Sequence, residues 1–227
     1  MFSHTIHNPH QIMIDTTDYI AIPFGHRCTS AIACKFANIR KQSLPFDWTI
    51  PTHPHRILEV LKHQFEDFIP DVIHNIFTNK YGITLQHFNP DTAIGILEYK
   101  RRIARFNQIM NTRDIKLYFV YINEDYLYNE YYRDDSVNNG IFNEMLDLEQ
   151  FLRESHLDYA ILYFNFKQHA IPSDSKIINI VLHTDAVSNS VDGSPYGKFR
   201  IYCGKVLADM FNTRVTVSIV NEEMFNN

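Results

Sequence analysis

A chain of 227 residues, 45% hydrophobic and 21% charged, is long and apolar enough to bury the core of one large domain. Its net charge of −5 gives it no overall attraction to nucleic acid or to anionic membranes. With only seven glycines it has no Gly-x-x-x-x-Gly-Lys-Ser/Thr loop, no Gly-x-Gly-x-x-Gly turn and no Gly-x-Ser-x-Gly elbow. These absences argue against nucleotide hydrolysis, dinucleotide redox chemistry and a serine-elbow hydrolase.

Residues 1–17 carry His4, His7 and His10 but no unbroken apolar stretch, so they read as an irregular arm rather than a secretory signal. No apolar run approaches the roughly 20 residues that cross a bilayer. A cytoplasmic protein with no membrane or nucleic-acid partner is expected.

Residues 18–227 read as a single α/β domain. Tyr19–Phe24 is a short apolar run suited to a buried strand and closed by Gly25. Thr29–Asn38 reads as a helix whose alanines form a small face, and Lys41–Trp48 as a turn-rich connector around Pro45. His53-Pro54-His55 opens a second helix, with Ile57, Leu61, Phe65 and Phe68 on one stripe. Ile83–Phe88 alternates as a strand. Asp91 or Thr92 then caps a long helix to about Asn111, with Ile96, Ile103, Phe106 and Met110 facing inward. Lys100, Arg101, Arg102 and Arg105 read as a solvated basic face of that helix.

In the second half, Ile115–Ile122 is a strong strand and Tyr126–Asp135 reads as an exposed loop. Phe142–Glu154 follows as an amphipathic helix, then strands Tyr159–Phe164 and Ile177–His183, a helix over Phe199–Phe211 and a last strand over Val215–Val220. Strands alternating with helices predict a layered α/β fold, a largely parallel sheet flanked by helices.

Three cysteines are an odd number, and Cys28 and Cys34 lie about 9 Å of helical rise apart, too far to bridge. Free thiols are expected. Cys28 is the candidate with chemistry. A strand, a glycine turn and a helix start place it at the tip of an element beside His26 and Arg27, where helix dipole and cations favour the nucleophilic thiolate. The histidine groups (His4, His7 and His10; His53 and His55) have no Cys pair or carboxylate in ligand register, so no metal or other cofactor is predicted.

Gly25-His26-Arg27-Cys28-Thr29-Ser30-Ala31, followed by Arg40-Lys41-Gln42-Ser43-Leu44-Pro45-Phe46-Asp47-Trp48, resembles an uncharacterised family of papain-like cysteine peptidases. Its pattern is Gly-x-x-Cys-x-x-Ala, then Arg-x-x-Ser-x-Pro-Phe-Asp-Trp. Looser likenesses at Tyr81–His87, Tyr99–Phe106 and Ile115–Ile122 extend the resemblance over residues 18–122. It implies a cysteine hydrolase of peptide or isopeptide bonds, with Cys28 as nucleophile and a strand histidine as base. His87 is the first candidate base and His183 the second, with Asp91 or Asp185 orienting the imidazole. Asp47 could steer a histidine instead. The glutamine that usually helps hold the oxyanion is missing before Cys28, leaving backbone N–H groups and His26 for that task.

The rival expectation is a non-enzymatic structural protein that contacts neighbouring proteins. The abundance of Asn, Ile, Phe and Tyr suits an AT-rich genome, and a virion component of a large DNA virus would fit.

Overall fold

The computed structural model describes residues 5–6, 14, 18–70, 77–86, 92–128, 130–182 and 195–213. In chain order the strands are β1 (Thr5–Ile6), β2 (Tyr19–Pro23), β3 (Thr49–Ile50), β4 (Thr84–Leu85), β5 (Lys116–Ile122), β6 (Tyr159–Asn165) and β7 (Ile177–Val181). The helices are α1 (Thr29–Phe36), α2 (Pro54–Lys62), α3 (Ala93–Met110), α4 (Asp125–Tyr128), α5 (Asp135–Glu154) and α6 (Pro195–Met210), with a 3₁₀ turn at Glu130–Arg133.

Among the described residues five strands form one sheet in the order β1-β7-β6-β5-β2, and every pairing between them is parallel. Side chains of a strand alternate between the two faces. Here both faces are apolar, as expected for a parallel sheet covered on both sides. Ile22, Leu117, Phe119, Tyr121, Ile161 and Ile177 face a core shared with α2, α3 and α5. Ala21, Tyr118, Val120, Leu162 and Ile180 face a second core with α1 and α6. The layered, parallel α/β architecture expected from the sequence is the observed one.

The small face of α1 serves close packing. A Cβ placed on Gly204 of α6 would stand 2.7 Å from the Cβ of Phe36, so only glycine permits this helix–helix distance. Ala33, Cys34 and Ala37 lie in the same core as Phe199, Cys203 and Leu207.

Several local readings are corrected. Among the described residues the expected strand Ile83–Phe88 is Thr84–Leu85, and it pairs antiparallel with β3 outside the main sheet. Within residues 1–17, expected to be irregular, Thr5–Ile6 is an edge strand on β7, and the Ile14 N–H reaches the Met210 carbonyl at 2.8 Å. Helix α2 stops at Lys62, because Gln64, Phe65 and Asp67 adopt left-handed φ of 50°, 64° and 52°. Phe65 and Phe68 still reach the core, from this turn rather than from the helix.

Helix α3 buries Phe106 and packs Ile103 and Met110 against the core as expected, and its buried face also takes in Tyr99, Arg102 and Ile109. Arg102, expected in the solvated basic patch, is 1% exposed, with its Nε 3.2 Å from Glu98. The expected loop Tyr126–Asp135 is α4 and the 3₁₀ turn, and Asp134 caps α5 by accepting from Ser136 N–H at 2.8 Å. Thr92 caps α3, accepting from Gly95 N–H at 3.0 Å. The expected strand Val215–Val220 lies outside the described residues.

Candidate active site

Because the strands are parallel, their carboxyl ends share one edge of the sheet, the usual location of ligands in open α/β folds. β2 leads there into Phe24-Gly25-His26-Arg27-Cys28, β5 into Asn123-Glu124-Asp125, and β6 ends in Asn165. The first segment is a sharp strand-to-helix turn. Phe24 N–H continues the ladder to the Val120 carbonyl at 2.8 Å, after which the chain turns within four residues into α1. Gly25 is needed for that turn, since a Cβ there would lie 2.7 Å from the Arg27 carbonyl oxygen. Two further bonds pin it. Ser30 Oγ accepts from Ile122 N–H at 3.2 Å, and the His26 carbonyl accepts from Thr52 N–H at 2.9 Å.

Cys28 is the N-cap residue of α1 and 9% exposed. Its sulfur accepts a hydrogen bond from Arg200 Nη2 of α6 at 3.3 Å, while Arg200 Nε donates to Thr29 Oγ1 at 3.2 Å. Thr29 Oγ1 in turn donates to Glu124 Oε2. Burial, the largest influence, pushes the Cys28 thiol up; Arg200 draws it down and Glu124 raises it again. The lowered thiol expected from the helix start and basic neighbours is therefore not found at rest, because desolvation outweighs the cations.

On the same turn, two residues before Cys28, His26 belongs to an imidazole–carboxylate pair. His26 Nε2 bonds Asp125 Oδ2, and Arg27 Nε approaches the other oxygen at 3.0 Å. Burial opposes the charge on Asp125, yet His26 and Arg27 together hold its carboxyl below the ordinary value. Its neighbour Glu124 is pushed up by burial. Two adjacent carboxyls whose environments drive their pKa values apart are a signature of acid–base sites. No family model, curated protein or solved structure matches the chain.

Behind His26, the His53 ring packs at 4.3 Å between centroids, and Tyr132 lies 5.9 Å away. Burial, aided by neighbouring positive groups, pushes His53 down to about 3, so it stays neutral. His53 and Tyr132 are among the walls of a cavity of about 360 Å³.

His87, Asp91, His183 and Asp185, the candidate base and orienting residues from the sequence, lie outside the described residues. Asp47 is buried and serves its own connector: Oδ2 accepts from Leu44 N–H at 3.0 Å and Arg40 Nε at 3.0 Å. The sequence reading missed Glu124, Asp125 and Arg200. The first two carried a usable signal, since polar residues directly after the strongest parallel strand fall on the ligand edge. Arg200 carried none, because it reaches Cys28 from a helix 172 residues away in sequence.

All three cysteines are free. No group of three metal-ligating side chains is present among the described residues. No helix among them is long and apolar enough to cross a membrane.

Proposed function

We propose that this chain is a thiol-dependent acyl hydrolase, acting on a peptide or isopeptide bond, with Cys28 as nucleophile. The observation that carries the reading is Cys28 on a strand-to-helix turn at the carboxyl edge of a parallel sheet, two residues after His26, whose imidazole is held by Asp125. On this reading they serve as a nucleophile, a base and the group that orients the base. With Nε2 held by Asp125, His26 has Nδ1 left for proton exchange. The resting thiol is protonated, so the base removes its proton as the sulfur attacks, rather than beforehand. Arg200 then stabilises the negative charge forming on sulfur.

In the first step the C–S bond forms, the bond from carbonyl to leaving group breaks, and the proton passes through His26 to the leaving group. Water then attacks the thioester and returns the free thiol. On this reading His26 takes the role for which His87, outside the described residues, was the first candidate.

The burial of Cys28, which raises its thiol, favours a second reading: a non-catalytic protein that keeps this turn for packing and contacts neighbouring proteins. Exposure to p-nitrophenyl acetate separates the two. The hydrolase reading predicts a burst of p-nitrophenolate, an acetyl group mapped to Cys28 by mass spectrometry, and loss of both in Cys28→Ala. A burst unchanged in Cys28→Ala, or no acetyl on Cys28, would leave the interaction protein standing.

A further inference from the structure

The cavity beside His53 is not used by the chemistry above. It lies between the start of α2, the 3₁₀ turn and the first half of α5, and its volume of about 360 Å³ is at the small end of ligand pockets. Its walls are rings. His53 stacks at 11° against His55 and at 25° against Tyr132, each with centroids 5.8 Å apart. Tyr131, 64% exposed, stands edge-on to Tyr132 at 84°. Val137 and Ile141 of α5 add aliphatic contact, and a Cβ on Gly140 would meet nothing within 4 Å.

A polar pair accompanies these walls: His55 Nδ1 lies 2.8 Å from Glu144 Oε2 on the lining. The pocket is joined to the proposed chemistry through the His53 and Tyr132 rings, which lie 4.3 Å and 5.9 Å from that of His26.

We propose that this cavity is the subsite for an aromatic side chain of the peptide substrate, a planar ring with a polar edge such as tyrosine. The inference rests on the hydrolase reading for what the ring is attached to, but its binding needs no turnover. Aromatic walls reward a ring by offset and edge contacts beyond simple burial. The Glu144 carboxylate and the His55 imidazole favour a ring that brings a hydrogen-bonding group.

Ligand-observed NMR on the Cys28→Ala chain tests it, with N-acetyl-L-tyrosinamide and N-acetyl-L-alaninamide as probes. Saturation transfer is expected to the tyrosine ring and not to the alanine methyl. Gly140→Leu, which fills open space without touching the fold, should weaken binding of the tyrosine probe at least threefold. Gly140→Ala should leave it unchanged. Tyr131→Ala, which removes an exposed wall, should also weaken it if Gly140→Leu does not fold. Equal transfer to both probes, or full binding in Gly140→Leu and Tyr131→Ala, would overturn the subsite. Selective ring binding together with an unacylated wild-type Cys28 would overturn the hydrolase reading alone.

Discussion

At the scale of single residues, the sulfur of Cys28 is governed by two opposing forces, a dry setting and the Arg200 guanidinium 3.3 Å away. An opposite charge at this range lowers the pKa of a buried acid by about one unit or more. Arg200→Gln is therefore expected to move the midpoint of Cys28 alkylation by iodoacetamide upward by about one pH unit. Peptide mapping across a pH series reads this, and an unmoved midpoint would mean that Arg200 does not act on the sulfur. Cys34 and Cys203 are 0% exposed and should stay unlabelled while the fold is intact, so the shape of the pH curve carries more than the order of labelling. This microenvironment was half legible in the sequence. The helix start and neighbouring Arg27 were visible, whereas burial and Arg200 come from tertiary packing.

Secondary-structure elements were read best where one signal dominates. β5 and β6 are apolar on both faces, and only a buried parallel strand accounts for such runs at this length. The inner face of α3 was drawn too narrowly because Arg102 scores as a surface residue. Its stem instead lies inside, with the guanidinium 5.5 Å over the Tyr99 ring and Nε on Glu98. A sequence does not distinguish a snorkelling arginine from a buried, paired one. α5 begins at Asp135 rather than Phe142 because the Asp134 cap fixes its start, and its stretch before Phe142, poor in large apolar residues apart from Val137 and Ile141, helps wall the cavity. Thr92 tests cap energetics directly. Thr92→Ala removes the acceptor for Gly95 N–H and should cost about 1 kcal/mol. Thermal unfolding should then fall by about 2–4 °C for a chain of this size. No change would mean that α3 is held by packing alone.

For the whole molecule, acid stability follows from the buried histidines. His169 is stacked on Phe142 at 4.1 Å and touches Asn165 and Asn138, and burial, the largest cause, holds it down to about 4 from 6.5. Between those two values the unfolded chain binds more protons than the folded one, so stability falls as pH drops through that window. His53 extends the same trend toward about 3. Urea unfolding from pH 7 to pH 4 should show the loss, and His169→Gln should flatten it. An equal slope in the variant would place the acid sensitivity elsewhere.

The three layers bring β2, β5 and α6 together at one edge, where His26, held by Asp125, is proposed to take the proton of Cys28. The most direct measurement is the single-turnover rate of Cys28 acetylation at pH 7 in wild type and Asp125→Asn, with folding checked by circular dichroism. A positioned base contributes about a hundredfold or more to such a step, so the variant should acylate slower by about that factor. Acetylation of Cys28 at the wild-type rate in a folded Asp125→Asn protein would contradict the claim.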